Sequence, residues 1–254
     1  DQPQGARAIL AWLEARGLFL IPLDDERRWF RYYHLFGEAL QEEMERSRPA
    51  LAQSLHRRAG CWFADHGYIT EAIDHALLAH DWEQAADHLT ATAHMALVRG
   101  EFAALSRWFD ALPTEIVVAR PRLAATQAWV LLFRSPLHEV QAIIERLLKQ
   151  VDQRGSDATV GELPPLGELA ALRASLAFFR WEVRATFALA TEALRLLPSN
   201  DSFSRAAVYH ALGRASQLAG QYEEAQRHYQ EAVSTCMQMG ANHMELFPAF
   251  RLAH

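Results

Sequence analysis

Arginines interleaved with aromatics are the side chains in this sequence best suited to bind something. Gln127, Trp129, Arg173, Arg180, Arg205, Tyr209 and Arg214 fall on segments that read as the first helices of successive helix pairs. An arginine fork receives a carboxylate through two parallel hydrogen bonds, and a neighbouring ring adds a stacking face. That set would suit a carboxylate-bearing, sugar or aromatic small molecule, or an acidic partner peptide. Other chemistry finds less support. His75 and His80 are five apart and His88 and His94 six apart, spacings that do not share a helix face well. His138 and Glu139 open HEVQAIIE, which lacks the second histidine of a zinc protease motif. The carboxylate pairs Asp24/Asp25, Glu42/Glu43 and Glu223/Glu224 read as a turn tip and solvated helix faces. No serine lies in a GxSxG elbow, and there is no GxxxxGK[ST] phosphate loop. We therefore expect no catalytic residue, no metal site and no cofactor held by this sequence.

Composition narrows the class further. Half of the 254 residues are apolar, enough for a substantial core, and no window holds eighteen uninterrupted apolar residues, so no membrane partner is expected. The formal charge is 25 − 31 = −6, with basic residues scattered along the chain, which disfavours nucleic-acid binding by this sequence itself. Cys61 and Cys236 lie 175 positions apart and read as reduced, buried thiols of a cytoplasmic protein. The sequence starts at Asp1 and shows no export signal.

These residues need elements to position them. Near the N-terminus a helix from Pro3 to Arg16 should end on Gly17, followed by two apolar runs, Leu18 to Leu23 and Trp29 to Tyr33, that flank the polar turn DDERR. The helical HLFGEALQEEMER comes next. Helix, hairpin, helix is the end of a winged-helix unit, which we assign to residues 1–46. From 47 to 254 the periodicity is helical. Ser47 and Pro49 open a helix that closes at Gly67, Asp81 opens one that closes at Gly100, and Pro113, Pro121 and Pro136 mark further starts. The only long loop is 153–165.

Laid over one another at 34 to 40 residues, the helix pairs repeat. The clearest copy, Arg205 to Gly240, carries Tyr209, Leu212, Gly213, Gly220, Ala225, Tyr229 and Ala232 at tetratricopeptide (TPR) spacing, departing from it at Ser216 and Met237. A poorer copy has Ala174, Ala193 and Pro198, and an earlier one Ala76, Ala85 and Leu89. Rings such as Trp108, Phe109, Phe178, Phe179, Trp181 and Tyr209 read first as core wedges. The expected fold is all-α, a TPR-like superhelix (α-solenoid) with a small hairpin. The last stretch, NHMELFPAFRLAH, reads as the first helix of a further pair, leaving Leu246, Phe247 and Phe250 to fray or to pack on another molecule.

The stretch LFLIPLDDERRWFRYYHLFGEALQEEM, followed by HRRAGCWFADHGYITEAIDHALLAHDWEQAADHL, resembles the MalT-like, LuxR-type ATP-dependent transcriptional regulators (signal-transducing ATPases) where a winged-helix unit passes into a repeat domain. Leu20, Pro22, Leu23, Asp24, Trp29, Tyr32 and His34 to Phe36 carry it, then His56, Ala59, Trp62, Gly67, Glu71, Ala72, His75, Ala76, Trp82 and Ala85. About the first 100 residues match well. The resemblance implies a sensor segment that receives a small-molecule inducer or a regulatory protein and controls self-association. It also implies an ATP-binding domain before this sequence and a DNA-binding helix-turn-helix after it. The alternative is a stand-alone TPR-type scaffold for protein partners.

Overall fold

The computed structural model describes residues 5–134, 137–154 and 164–238. Expectations for Pro3, Pro136, most of the 153–165 loop, Gly240, and the terminal Leu246, Phe247 and Phe250 lie outside those residues. The chain divides into two compact units, 1–59 and 60–254. No described helix is long and apolar enough to cross a membrane.

In the first unit, α1 (Ala6–Ala15) ends as expected at Gly17, whose φ of 65° lets Gly17 N–H reach the Glu14 carbonyl and Leu18 N–H the Leu13 carbonyl. Strands β1 (Leu20–Pro22) and β2 (Phe30–Tyr32) pair antiparallel, with Ile21 opposite Arg31. Both are shorter than the apolar runs suggested, and Phe19, at φ 54°, breaks the extended backbone ahead of β1. The turn is closed by the first of the two acidic residues: Asp24 Oδ1 accepts from the backbone N–H of Arg28 at 2.8 Å and of Trp29 at 2.9 Å. Those two bonds hold its carboxyl below the usual range. Helix α2 (His34–Ser47) follows, then α3 (Pro49–Asp65), which ends in the second unit.

The second unit continues with α4 (Ile69–Leu78), α5 (Trp82–Val98), α6 (Phe102–Ala111), α7 (Thr114–Val118), α8 (Pro121–Arg134) and α9 (Leu137–Arg154). It goes on through α10 (Leu166–Phe179), α11 (Val183–Leu196), α12 (Ser202–Leu218) and α13 (Tyr222–Gln238). Described residues outside the hairpin are thus helical or in turns, the all-α chain expected. Five interhelix turns are built alike. At Gly67, His80, Gly100, Trp181 and Gly220 the backbone is left-handed, with φ between 54° and 80°. In each, that residue's N–H reaches the carbonyl three back, and the next N–H the carbonyl five back, at 2.9 to 3.1 Å. Such a turn satisfies the last carbonyls of one helix and reverses the chain within two residues.

Helices α10 and α12 form the centre of this unit: nine of fourteen residues in α10 and eleven of seventeen in α12 are buried. Close approach depends on absent side chains. A Cβ on Gly213 would fall 2.6 Å from the Tyr229 ring, and one on Gly167 would fall 2.9 Å from the Leu196–Leu197 backbone. Rings fill what remains. Phe102, Phe133, Phe179, Phe178, His210 and Tyr229 follow one another at centroid separations of 4.9, 6.1, 4.9, 5.5 and 6.1 Å, linking α6, α8, α10, α12 and α13.

Carboxylates join consecutive pairs toward the N-terminal side. Asp74 accepts from the Trp108 indole N–H at 2.7 Å and from Arg107 at 2.9 Å, and Arg120 binds Glu83 at 2.6 Å and Asp87 at 2.9 Å. Partners in these bonds are 33 to 37 residues apart, one repeat length. Trp181 breaks the turn pattern most, since a bulky side chain at positive φ is strained and this one is 64% exposed. Relief of that strain, about 1–2 kcal/mol, outweighs the extra chain entropy of glycine, about 0.4–1 kcal/mol. Trp181→Gly should therefore raise the melting temperature by a few degrees; a lower one in a thermal melt would show that the indole holds the turn in place.

Candidate recognition surface

Burial decides which of the expected binding residues can be reached. Trp129, on α8, is 1% exposed and stands edge-on to Phe203 with centroids 5.2 Å apart, a wedge between helices with no ring face open to a ligand. Gln127 on the same helix is half-buried, as are Arg173, Arg180, Arg205, Tyr209 and Arg214. Arg173 on α10 and Arg180, which caps its C-terminus, are seven residues apart, hence on one helix face. On α12, Arg205 donates to the Tyr209 hydroxyl at 3.1 Å and lies over its ring, 5.7 Å from the centroid. A shift of 39 residues lays Ala174 on Gly213 and Trp181 on Gly220, and the same shift lays Leu166 on Arg205 and Ala170 on Tyr209. Arg173 and Arg180 on α10 therefore stand on the helix face equivalent to the one that carries Arg205 and Tyr209 on α12. Arg214 is not on it: nine residues beyond Arg205, it is turned roughly 180° around the helix. There it donates to Gln217 at 2.8 Å, and Gln217 accepts from Tyr229 at 3.3 Å.

The arginines of this region differ from those nearer the N-terminal side. Arg107, Arg120 and Arg134 all meet carboxylates, the last of them Asp110 at 3.0 Å. Arg180 donates to the Gln141 amide oxygen, Arg205 to the Leu197 carbonyl and Tyr209, and Arg214 to Gln217. Arg173 has no hydrogen-bond partner among the described residues. Four half-buried guanidinium groups thus have no ion-pair partner among the described residues, in a chain of net charge −6. Sequence patterning put cations on these helices, but their lack of carboxylate partners needed the fold.

Comparison with known proteins matches a family model to part of each unit. The family model for the MalT winged helix domain matches residues 2–52, and that for the MalT-like TPR region matches 167–253. The regulator MalT of Serratia proteamaculans is 31% identical over 92% of this chain and 26% of its own length. MalT of Cronobacter sakazakii is 32% identical over 76% and 21%. The chain belongs to the MalT-like family. It spans about a quarter of those regulators. A shorter match, 39% identical over 48% of this chain, covers 11% of the serine/threonine-protein kinase PknK of Mycobacterium tuberculosis. No solved structure matches.

Two titrating groups in the MalT-like TPR unit were not legible in the sequence. Glu168 opens α10, and burial, helped by Asp201 at the start of α12, pushes its carboxyl up to about 7; Arg122 and the Trp129 indole pull the other way. The indole N–H is buried with no acceptor at hydrogen-bonding distance among the described residues, so its pull is that of a dipole, not of a formed bond. His210, buried within the ring ladder, is pushed down to about 4, first by burial and then by Arg214. The two act in opposite senses. Glu168 favours folding while protonated, so its contribution is complete below 4.5 and is lost as pH rises through about 7. His210 favours folding while neutral, so its contribution is complete above 6.5 and is lost as pH falls toward 4. Between 4.5 and 6.5 they offset one another. In melts across that window, Glu168→Gln should lose stability on acidification more steeply than the parent, and His210→Phe should gain it. Parallel curves for all three would contradict both assignments.

Proposed function

We propose that this chain is the regulatory, signal-receiving segment of a transcriptional regulator, and that its own task is recognition, not catalysis. The observation that carries this is the order of its parts, a MalT winged helix followed by a MalT-like TPR region, together with half-buried arginines that have no carboxylate partner. In the parent polypeptide, on this reading, an ATP-binding domain precedes the winged helix and a DNA-binding helix-turn-helix follows the repeats. An inducer or a regulatory protein then acts by occupying the TPR surface and biasing self-association. An effector shifts such an equilibrium only by its difference in affinity between the two states. PknK carries the word kinase in its name, but what it shares with this chain is about a tenth of its length.

A reporter driven by the parent regulator tests this. Deleting residues 166–238 should abolish the change in promoter output between inducing and non-inducing conditions. A response of unchanged size would end the regulatory reading. For a small-molecule effector, the purified chain at about 100 times the dissociation constant should gain about 2.7 kcal/mol. At this size that is a rise in Tm of about 5–11 °C.

A further inference from the structure

We propose that Arg173 and Arg180 on α10 and Arg205 and Tyr209 on α12, on equivalent faces of the two helices, bind an acidic, extended peptide segment of a partner protein. This rests on the recognition reading above and names the chemistry of what is recognised. An arginine fork is matched by carboxylate oxygens, and half-burial strengthens that pairing by removing competing water. Here the matching carboxylates are missing from the chain. Arg120, by contrast, which is also half-buried, has drawn both Glu83 and Asp87 to itself. Neutral oxygens from Gln141, Leu197 and Tyr209 hold Arg180 and Arg205 in place without neutralising them.

Spacing favours a peptide over a small anion. Seven helical residues separate Arg173 from Arg180, a rise of about 10 Å, and neighbouring helix axes lie about 8–10 Å apart. One carboxylate or phosphate reaches one such arginine, or two at most. An extended chain advances about 3.3 Å per residue, so an acidic residue at every third or fourth position meets successive arginines. Tyr209, packed in part against the core and with its hydroxyl engaged by Arg205, is the half-buried ring nearest the apolar residues between.

The test is fluorescence anisotropy of the whole 254-residue chain with fluorescein-labelled deca-glutamate at low salt, with deca-lysine, succinate and inorganic phosphate as competitors. A protein of net charge −6 repels deca-glutamate unless a local cationic site takes it. Binding should occur, weaken as salt rises, and fall at least tenfold in Arg173→Gln/Arg205→Gln. It should change less than twofold in Arg107→Gln and Arg227→Gln, whose arginines already have carboxylates. Should the double variant not fold by circular dichroism, Arg180→Glu, at the end of α10, serves in its place with the same expected loss. Absence of binding overturns the proposal, as does equal loss in the control variants. Displacement by succinate or phosphate at the concentrations at which unlabelled deca-glutamate displaces the probe also overturns it, because the site would then be one for small anions. The two readings fail separately. A failed titration leaves the reporter outcome standing, and a reporter indifferent to the deletion leaves deca-glutamate still bound.

Discussion

The ring ladder from Phe102 to Tyr229 is the contact on which the TPR unit depends. A helix pair of this kind cannot bury its apolar face alone, so each must borrow a surface from the next. Here aromatic edges do the joining, passing through Phe133, Phe179, Phe178 and His210 without a break of more than 6.1 Å between centroids. Missing side chains at Gly167 and Gly213 let the backbones and rings close in. A polar ring in that ladder must stay neutral, which is why His210 titrates so low.

From this follows the character of the surface. When α10 and α12 are enclosed on most sides, little of each reaches solvent, and whatever stands there is poised between core and water. Arginine tolerates this position because its stem packs while its head stays wet. Toward the N-terminal side the problem is solved internally, by carboxylates one repeat away. On α10 and α12 it is left open, and a charge left open in a half-buried place is an expense that folding alone does not explain.

Much of this was legible in the sequence because it is local. Gly17, Gly67, Gly100 and Gly220 marked turns that require positive φ, and Asp24 in DDERR marked the hairpin. The similar turns at His80 and Trp181 were hidden because their residue types argue against that backbone, and tertiary packing overrides the preference. The length of β1 was overread because Phe19 continues the apolar run while turning the chain. Among the binding candidates, spacing put cations on α10 and α12, the first helices of their pairs. It did not separate Arg214 from Arg205, since that takes the helix phase relative to neighbours, nor show that Trp129 is sealed by Phe203. Glu168 was invisible for the same reason: its environment comes from Arg122, Trp129 and Asp201, residues 33 to 46 positions away.

On this reading Arg173 is kept for something outside the fold, and the stability of a variant without its charge decides whether it is. Arg173→Met retains the packed stem and removes the charge, and urea unfolding of the whole chain compares it with the parent. The expected midpoint is equal to or above the parent's, because no partner among the described residues is lost. A loss of more than about 1 kcal/mol, the net worth of a typical internal hydrogen bond, would show that Arg173 serves the fold itself and is not held for a partner.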